Sequence, residues 1–197
     1  MDMKDVEISN VENAYKGFFR IRKYTFHHTL YQGGVSKSLT REVFERGNSA
    51  AVLLYDPAWD IIALVEQFRI GAYVNGNKSP WTKELIAGMI ENCDTPENTV
   101  IRETKEEAGI SITEIRKLGT VLLSPGGSSE SCDVFVAFAD LSNVGGYFGN
   151  KHEGEDIKVT VYPYKDVVNM VNSGEICSAT AVIAIQWLSL YKIKKVY

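Results

Sequence analysis

The chain predicts an α/β (α+β) fold: a mixed sheet with helices on both faces, preceded by a small antiparallel β-sheet near the N-terminus. Three observations predict it. Residues 49–57 (SAAVLLYDP) and 61–70 (IIALVEQFRI) are apolar runs without alternation, which suits strands buried on both faces. Residues 96–108 carry the start and stop signals of a helix, and residues 179–193 (ATAVIAIQWLSLYKI) read as a second, almost wholly apolar one. Strands and helices do not alternate regularly, which argues for a mixed sheet between helical layers.

Residues 18–30 (FFRIRKYTFHHTL) are rich in aromatic and β-branched types. Gln32-Gly33-Gly34 supplies turn residues and 38–45 resumes an extended pattern, so a β-hairpin is expected. His27 and His28 are adjacent, point to opposite faces of a strand and are read as structural. A boundary falls near Arg46-Gly47, giving an N-terminal sheet segment over 1–46 and a main domain over 47–197. Residues 72–80, with Asn75-Gly76-Asn77, form a loop, and 84–87 a short strand. Thr95 is a good N-cap, Pro96 fits the first helical position and Glu97 favours the positive end of the helix dipole. Gly109 should end that helix. Strands follow at 114–123, 132–139 and 157–163, then a short helix over 165–172 ended by Gly174, then a last helix with Ser178 as its cap.

With 197 residues, 45% hydrophobic and 23% charged, the composition is that of a globular protein. A formal charge of −4 argues against a nucleic-acid binder, which needs a basic face, but not against a small phosphorylated substrate. The leading MDMKDVEISN has neither the basic start nor the apolar centre of a signal peptide, and no run approaches the length of a membrane span. Cys93, Cys132 and Cys177 are odd in number and widely spaced, which suits reduced thiols. A cytoplasmic protein with no nucleic-acid or membrane partner is expected.

The chemistry gathers at residues 88–110, GMIENCDTPENTVIRETKEEAGI. At about 100° per residue, Val100, Ile101, Thr104 and Ala108 are read as one arc of the helix, with Glu103, Glu106 and Glu107 on the other side. Three carboxylates within about a turn suit a hard divalent cation such as Mg²⁺. Acid runs are also common on solvated helices, so clustering alone decides little. The spacing carries more weight. Gly88, Asp94 and Arg102-Glu103-x-x-Glu106-Glu107-x-Gly109-Ile110 resemble the Nudix box, G-x5-E-x7-R-E-U-x-E-E-x-G-U with U aliphatic. Asp94 stands where that family has Glu, and Thr104 fits its aliphatic position loosely. Asp94 reads equally as a helix cap or as a shortened, water-bridged metal contact.

The resemblance implies a Nudix-type α/β/α sandwich and hydrolysis of a diphosphate linkage. By resemblance, Glu103 and Glu107 are the principal ligands of Mg²⁺ (Mn²⁺ is the alternative), with the Ala87 carbonyl and Glu155 completing the set. Glu106 is a further contact, Arg102 holds the acids in place, and Glu153 matches the general base. Ser124-Pro125-Gly126-Gly127, with Pro125 sixteen residues after Gly109, is similar to the ADP-ribose pyrophosphatase branch, as are EDIKV at 155–159 and TAVIAIQWL near the C-terminus. That branch implies substrate contacts at Phe18 (stacking on adenine), Arg41, Arg69, Gly88, Met89, Ser124 and Glu130. It also implies a homodimer in which the N-terminal sheet reaches the partner's site. FRIGAYVNGNKS at 68–79 is similar to GDP-mannose-hydrolysing Nudix enzymes, so another nucleoside diphosphate sugar is the alternative substrate. A module that binds a nucleotide without cutting it is the remaining reading.

Overall fold

The computed structural model describes residues 5–150 and 154–196. It divides into two units, Met1–Asn48 with Leu122–Ser131, and Ser49–Val121 with Cys132–Tyr197. The first unit is a three-stranded antiparallel sheet in the order β1 (Val6–Lys16), β2 (Arg20–His28), β3 (Leu39–Glu45). Strands β2 and β3 are the expected hairpin, and Gly33 and Gly34 turn it with φ of 87° and 80°. Strand β1 was not expected from the sequence. Register shifts between Ile8 and Asn10 and between Asn13 and Tyr15 break its two-residue period, and every one of its residues is exposed. The segment Leu122–Ser131 joins this unit through β3: Phe44 N–H donates to Gly127 O at 2.8 Å, and Ser129 N–H to Phe44 O at 3.1 Å.

The second unit is built on an eight-stranded mixed sheet. Its strands are β4 (Ser49–Asp56), β5 (Ile61–Phe68), β6 (Trp81–Glu84), β7 (Ile86–Met89), β8 (Ile115–Leu122), β9 (Ser131–Phe138), β10 (Gly146–Phe148) and β11 (Ile157–Pro163). The main order is β10-β11-β5-β4-β9-β8, with β6 on β5 and β7 on β4. The β4–β9 pair is parallel. Strand β4 shows why its sequence is apolar throughout. Ala50, Val52 and Leu54 join Val100 and Ala108 of helix α2 (Pro96–Ala108) in one core. Ala51, Leu53 and Tyr55 join Val167 of α3 (Tyr164–Ser173) and Ala181, Ala184, Ile185 and Leu188 of α4 (Ala179–Val196) in the other. The result is an α/β/α sandwich, as the sequence predicts.

One irregularity positions the site. Strands β4 and β5 pair with each other only over Leu54–Asp56 and Ile61–Ala63. Beyond that point they part, and residues 81–89 enter: Val65 pairs with Glu84, while Ala51 pairs with Ala87. The single strand expected at 84–87 is therefore two strands that change neighbour at the buried Leu85. The first three residues of the expected loop 72–80 belong instead to a five-residue helix α1 (Ile70–Val74). Strand β10 was not expected either; it is three residues long and led by glycines. Ser178 directly precedes α4: its carbonyl accepts from Val182 N–H at 3.0 Å and its hydroxyl meets Thr180 Oγ1 at 3.3 Å. Among the described residues, no helix is long and apolar enough to cross a membrane.

Candidate active site

Helix α2 is fixed at both ends as its sequence dictates. Thr95 Oγ1 accepts from Asn98 N–H at 3.1 Å, Pro96 opens the helix, and Gly109 closes it in the left-handed region at φ 72°. Asp94 strengthens the same end, accepting from Thr95 N–H at 2.8 Å and Thr99 Oγ1 at 3.2 Å. The Thr95 bond, followed by those of Asn98 and Thr99, holds the Asp94 carboxyl below the usual range. Of the two readings of Asp94, the structure displays the cap.

The expected partition of the helix needs correction. Ile101 is on the exposed side, whereas Glu107 is only 5% exposed among Thr99, Val100, Thr104 and Ala108. Seven residues make nearly two full turns, so Glu107 returns to the meridian of Val100 and faces the sheet. Its carboxylate meets the parted strands, where Ala87 N–H donates to Oε2 at 3.3 Å. Burial, then the neighbouring charge of Glu103, pushes the Glu107 carboxyl up to about 8.

Glu103 lies one turn earlier, over Gly88. A Cβ at Gly88 would sit 1.8 Å from Glu103 Oε1, so the glycine is what admits this carboxylate. Burial raises Glu103 to about 6 despite Arg102, whose Nη1 lies 2.9 Å from Glu103 Oε1. The same Nη1 reaches Glu106 Oε2 at 3.1 Å, and Nη2 lies 3.9 Å from Glu91 Oε1. Glu106 is largely exposed. Glu155 is anchored at the end of a loop, its Oε2 accepting from Asn150 N–H at 3.0 Å, and its charge acts on both Glu103 and Glu107. Ala87, Gly88, Arg102, Glu103, Glu106, Glu107 and Glu155 are thus one electrostatic neighbourhood within the second unit. Met89 is at its rim, half-exposed at the end of β7.

Among the described residues, no group of three or more His, Cys, Asp and Glu side chains is arranged to hold a metal as it stands. Carboxylates about 5 Å apart repel by roughly 3 kcal/mol at an effective dielectric near 20. Glu103 turns to Arg102 and Glu107 to a backbone N–H, which reduces that repulsion. The donors are nonetheless all oxygens, and the carboxyls of buried Glu107 and part-buried Glu103 resist ionisation. That is the chemistry of a hard divalent cation, whose charge would stabilise both carboxylates.

Arg69, also in the second unit, is held by Glu84 through a two-bond fork, Nε to Oε1 at 3.1 Å and Nη2 to Oε2 at 2.8 Å. Partial desolvation works against its charge, but Glu84, Glu107 and Glu155 outweigh that and leave its pKa above the ordinary arginine value. Sequence reasoning missed Glu84 and Glu91. Glu91 lies in the box spacer, where any residue fits, and Glu84 is an acid at the head of the apolar run ELIAGMI with no local pattern to mark it.

The remaining expected contacts lie in the first unit. Phe18 is 90% exposed, edge-on to Phe19 at 4.7 Å between ring centroids, so it is not core. Arg41 Nη1 donates to Thr40 O at 2.7 Å. Ser124 O closes a turn, accepting from Gly127 N–H at 3.0 Å and Ser128 N–H at 2.8 Å. Glu130, 7% exposed, is paired with Arg46 Nη1 at 3.0 Å. Glu153 lies outside the described residues.

A mixed sheet between helical layers, with box acids on the helix that faces its parted strands, defines a class. The NUDIX domain matches residues 45–180, and the chain belongs to the Nudix family. It is 41% identical over 187 residues to an ADP-ribose pyrophosphatase of Escherichia coli (strain K12), covering 95% of this chain and 89% of that protein. An ADP-ribose pyrophosphatase of Haemophilus influenzae is 40% identical over 95% of this chain and 87% of its own length. A GDP-mannose pyrophosphatase of Enterobacter sp. (strain 638) is 35% identical over 94% of this chain and 95% of its own length.

Proposed function

We propose that this Nudix hydrolase cleaves the diphosphate linkage of ADP-ribose with water, giving AMP and ribose 5-phosphate, with Mg²⁺ as its cation and Mn²⁺ as the alternative. The observation that carries the chemistry is the pair of buried Glu107 and part-buried Glu103 over Ala87 and Gly88. The relatives carry the substrate: the ADP-ribose pyrophosphatases are 40–41% identical to this chain, the GDP-mannose pyrophosphatases 34–35%.

Glu103, Glu107 and Glu155, with the Ala87 carbonyl, would hold the cation. Once bound, it supplies Lewis-acid neutralisation of the diphosphate and activation of water. Arg102 keeps Glu103 and Glu106 in register through one guanidinium nitrogen. Arg69 offers its remaining donors to an anionic oxygen. Glu153 takes the proton of the attacking water, and one bridging P–O bond breaks. Phe18, Arg41, Ser124 and Glu130 are assigned to the substrate, and Gly88 and Met89 to the floor beneath it. A homodimer belongs to this reading, because β1 presents Val6, Ile8, Val11 and Tyr15 on an exposed sheet. So does a cytoplasmic compartment, where the three cysteines would stay reduced.

The test is AMP release from ADP-ribose against GMP release from GDP-mannose, with Mg²⁺ and with EDTA. Faster turnover of ADP-ribose that EDTA abolishes is expected. Preference for GDP-mannose would reassign the substrate, and tight binding without cleavage of either would make the chain a silent binding module.

A further inference from the structure

We propose that Glu84 is a positioning residue, which holds the Arg69 guanidinium by one edge so that its other edge is presented to the diphosphate of the substrate. This rests on the sugar-nucleotide hydrolase reading above. The fork occupies Nε and one hydrogen of Nη2, and no hydrogen bond takes up Nη1 among the described residues. Glu84 is itself fixed. Its side chain is mostly buried, and Thr82 Oγ1 donates to the Oε1 that also receives Arg69 Nε. Both residues belong to β6, which is paired to β5 from Val65 to Phe68. The backbone closes the ring, with Arg69 N–H donating to Pro80 O at 2.9 Å.

The arrangement is more than a surface ion pair. An arginine held at one edge by a rigid carboxylate loses little further freedom when its other edge meets an anion. Glu84 is thus the acid that Arg69 contacts directly, while Glu107 and Glu155 act on it through their charge alone. The parting of β4 and β5 places Glu84 on the same inserted segment as Ala87 and Gly88, three and four residues on. One strand segment thus sets the arginine and the floor of the acid site together.

The experiment compares Glu84→Gln, Thr82→Val, Arg69→Lys and the double variant Glu84→Gln/Arg69→Lys on whichever of ADP-ribose and GDP-mannose the wild type cleaves. Glu84→Gln is expected to raise KM about tenfold, the worth of one charge-assisted hydrogen bond, with kcat within about threefold. Thr82→Val should raise KM by a smaller factor in the same direction. The double variant should be no worse than Arg69→Lys alone, since both act through one guanidinium. Glu84→Asp should recover part of the lost affinity. Unchanged KM in Glu84→Gln, or losses that multiply in the double variant, would overturn the assignment while leaving hydrolysis intact. If Glu84→Gln does not fold, an unchanged KM in Thr82→Val overturns it instead. A wild type that cleaves neither substrate removes the hydrolase reading, and this inference with it.

Discussion

Replacing Glu107 by Gln should make the cation-free protein more stable at alkaline pH while removing its response to metal. Glu107 is buried, and its carboxyl moves from an ordinary value of 4.5 to about 8 on folding. The folded state therefore retains a proton that the unfolded state has lost. Stability is fullest below pH 4.5, falls as pH rises, and reaches its lower level once pH passes about 8. At about 1.4 kcal/mol per pH unit, that interval corresponds to an upper limit of about 5 kcal/mol. Part of the displacement arises from Glu103, which relaxes as it titrates, so about half is a reasonable expectation. About 2.5 kcal/mol moves the Tm of a domain this size by about 5–10 °C. Glutamine has the shape of the protonated acid and keeps an oxygen for Ala87 N–H, so it escapes this loss. In EDTA at pH 8.5 the Glu107→Gln protein should melt about 5–10 °C above wild type, and at pH 4.5–5 the two should nearly coincide. Mg²⁺ at 100 times its Kd should close that gap, because it adds about 2.7 kcal/mol to a protein that binds it only when folded. Thermal melts by circular dichroism at the two pH values, with EDTA and with Mg²⁺, measure all of this. Identical pH dependence in the two proteins, or an equal Mg²⁺ shift in both, would refute the assignment of Glu107 as a buried ligand.

Three further outcomes follow from the site and the helix that carries it. Gly88→Ala puts a methyl 1.8 Å from Glu103 Oε1 and should displace that carboxylate, weakening Mg²⁺ by about 10–100-fold in a titration of activity; unchanged Mg²⁺ dependence would free Glu103 of its role. Thr95→Ala should cost about 1 kcal/mol of stability through the lost cap. Asp94→Asn should likewise lower Tm with kcat and Mg²⁺ affinity unchanged, and a fall in Mg²⁺ affinity would make Asp94 a ligand.

Those parts of the fold governed by local chemistry were legible in the sequence. Helix α2 has the predicted bounds because Thr95, Pro96 and Gly109 are strong signals whose effect does not depend on the rest of the chain. Strands β4 and β5 were readable because burial on both faces removes any alternation. Strand β1 and the division of residues 81–89 into β6 and β7 were not readable, because both depend on pairing partners rather than on the segment itself. The spacing of Gly88, Glu103 and Glu107 located the acid site. Which acid is buried was misjudged, because the box fixes intervals along the chain, and only the placement of α2 over the parted strands decides which side of the helix meets the sheet. Glu84 had no sequence signal at all, since its role arises from the approach of β6 to Arg69.

The three box glutamates are therefore not equivalent, and burial orders them. Glu106 is largely solvated and already paired with Arg102, so a cation gains little there that water and the guanidinium do not provide. Glu103 is mostly buried but shares Arg102, which lowers both its cost when charged and its attraction for a second cation. Glu107 is the most buried of the three and has one backbone donor in place of a guanidinium. Burial, then the charge of Glu103, makes its ionised form unfavourable alone, so a bound divalent ion would compensate it more than it would Glu103 or Glu106. In the proposed cation site, affinity would come chiefly from a carboxylate that the fold holds in an unfavourable place. Sequence spacing identifies the members of the set, and the depth of each beneath the surface determines how much each contributes.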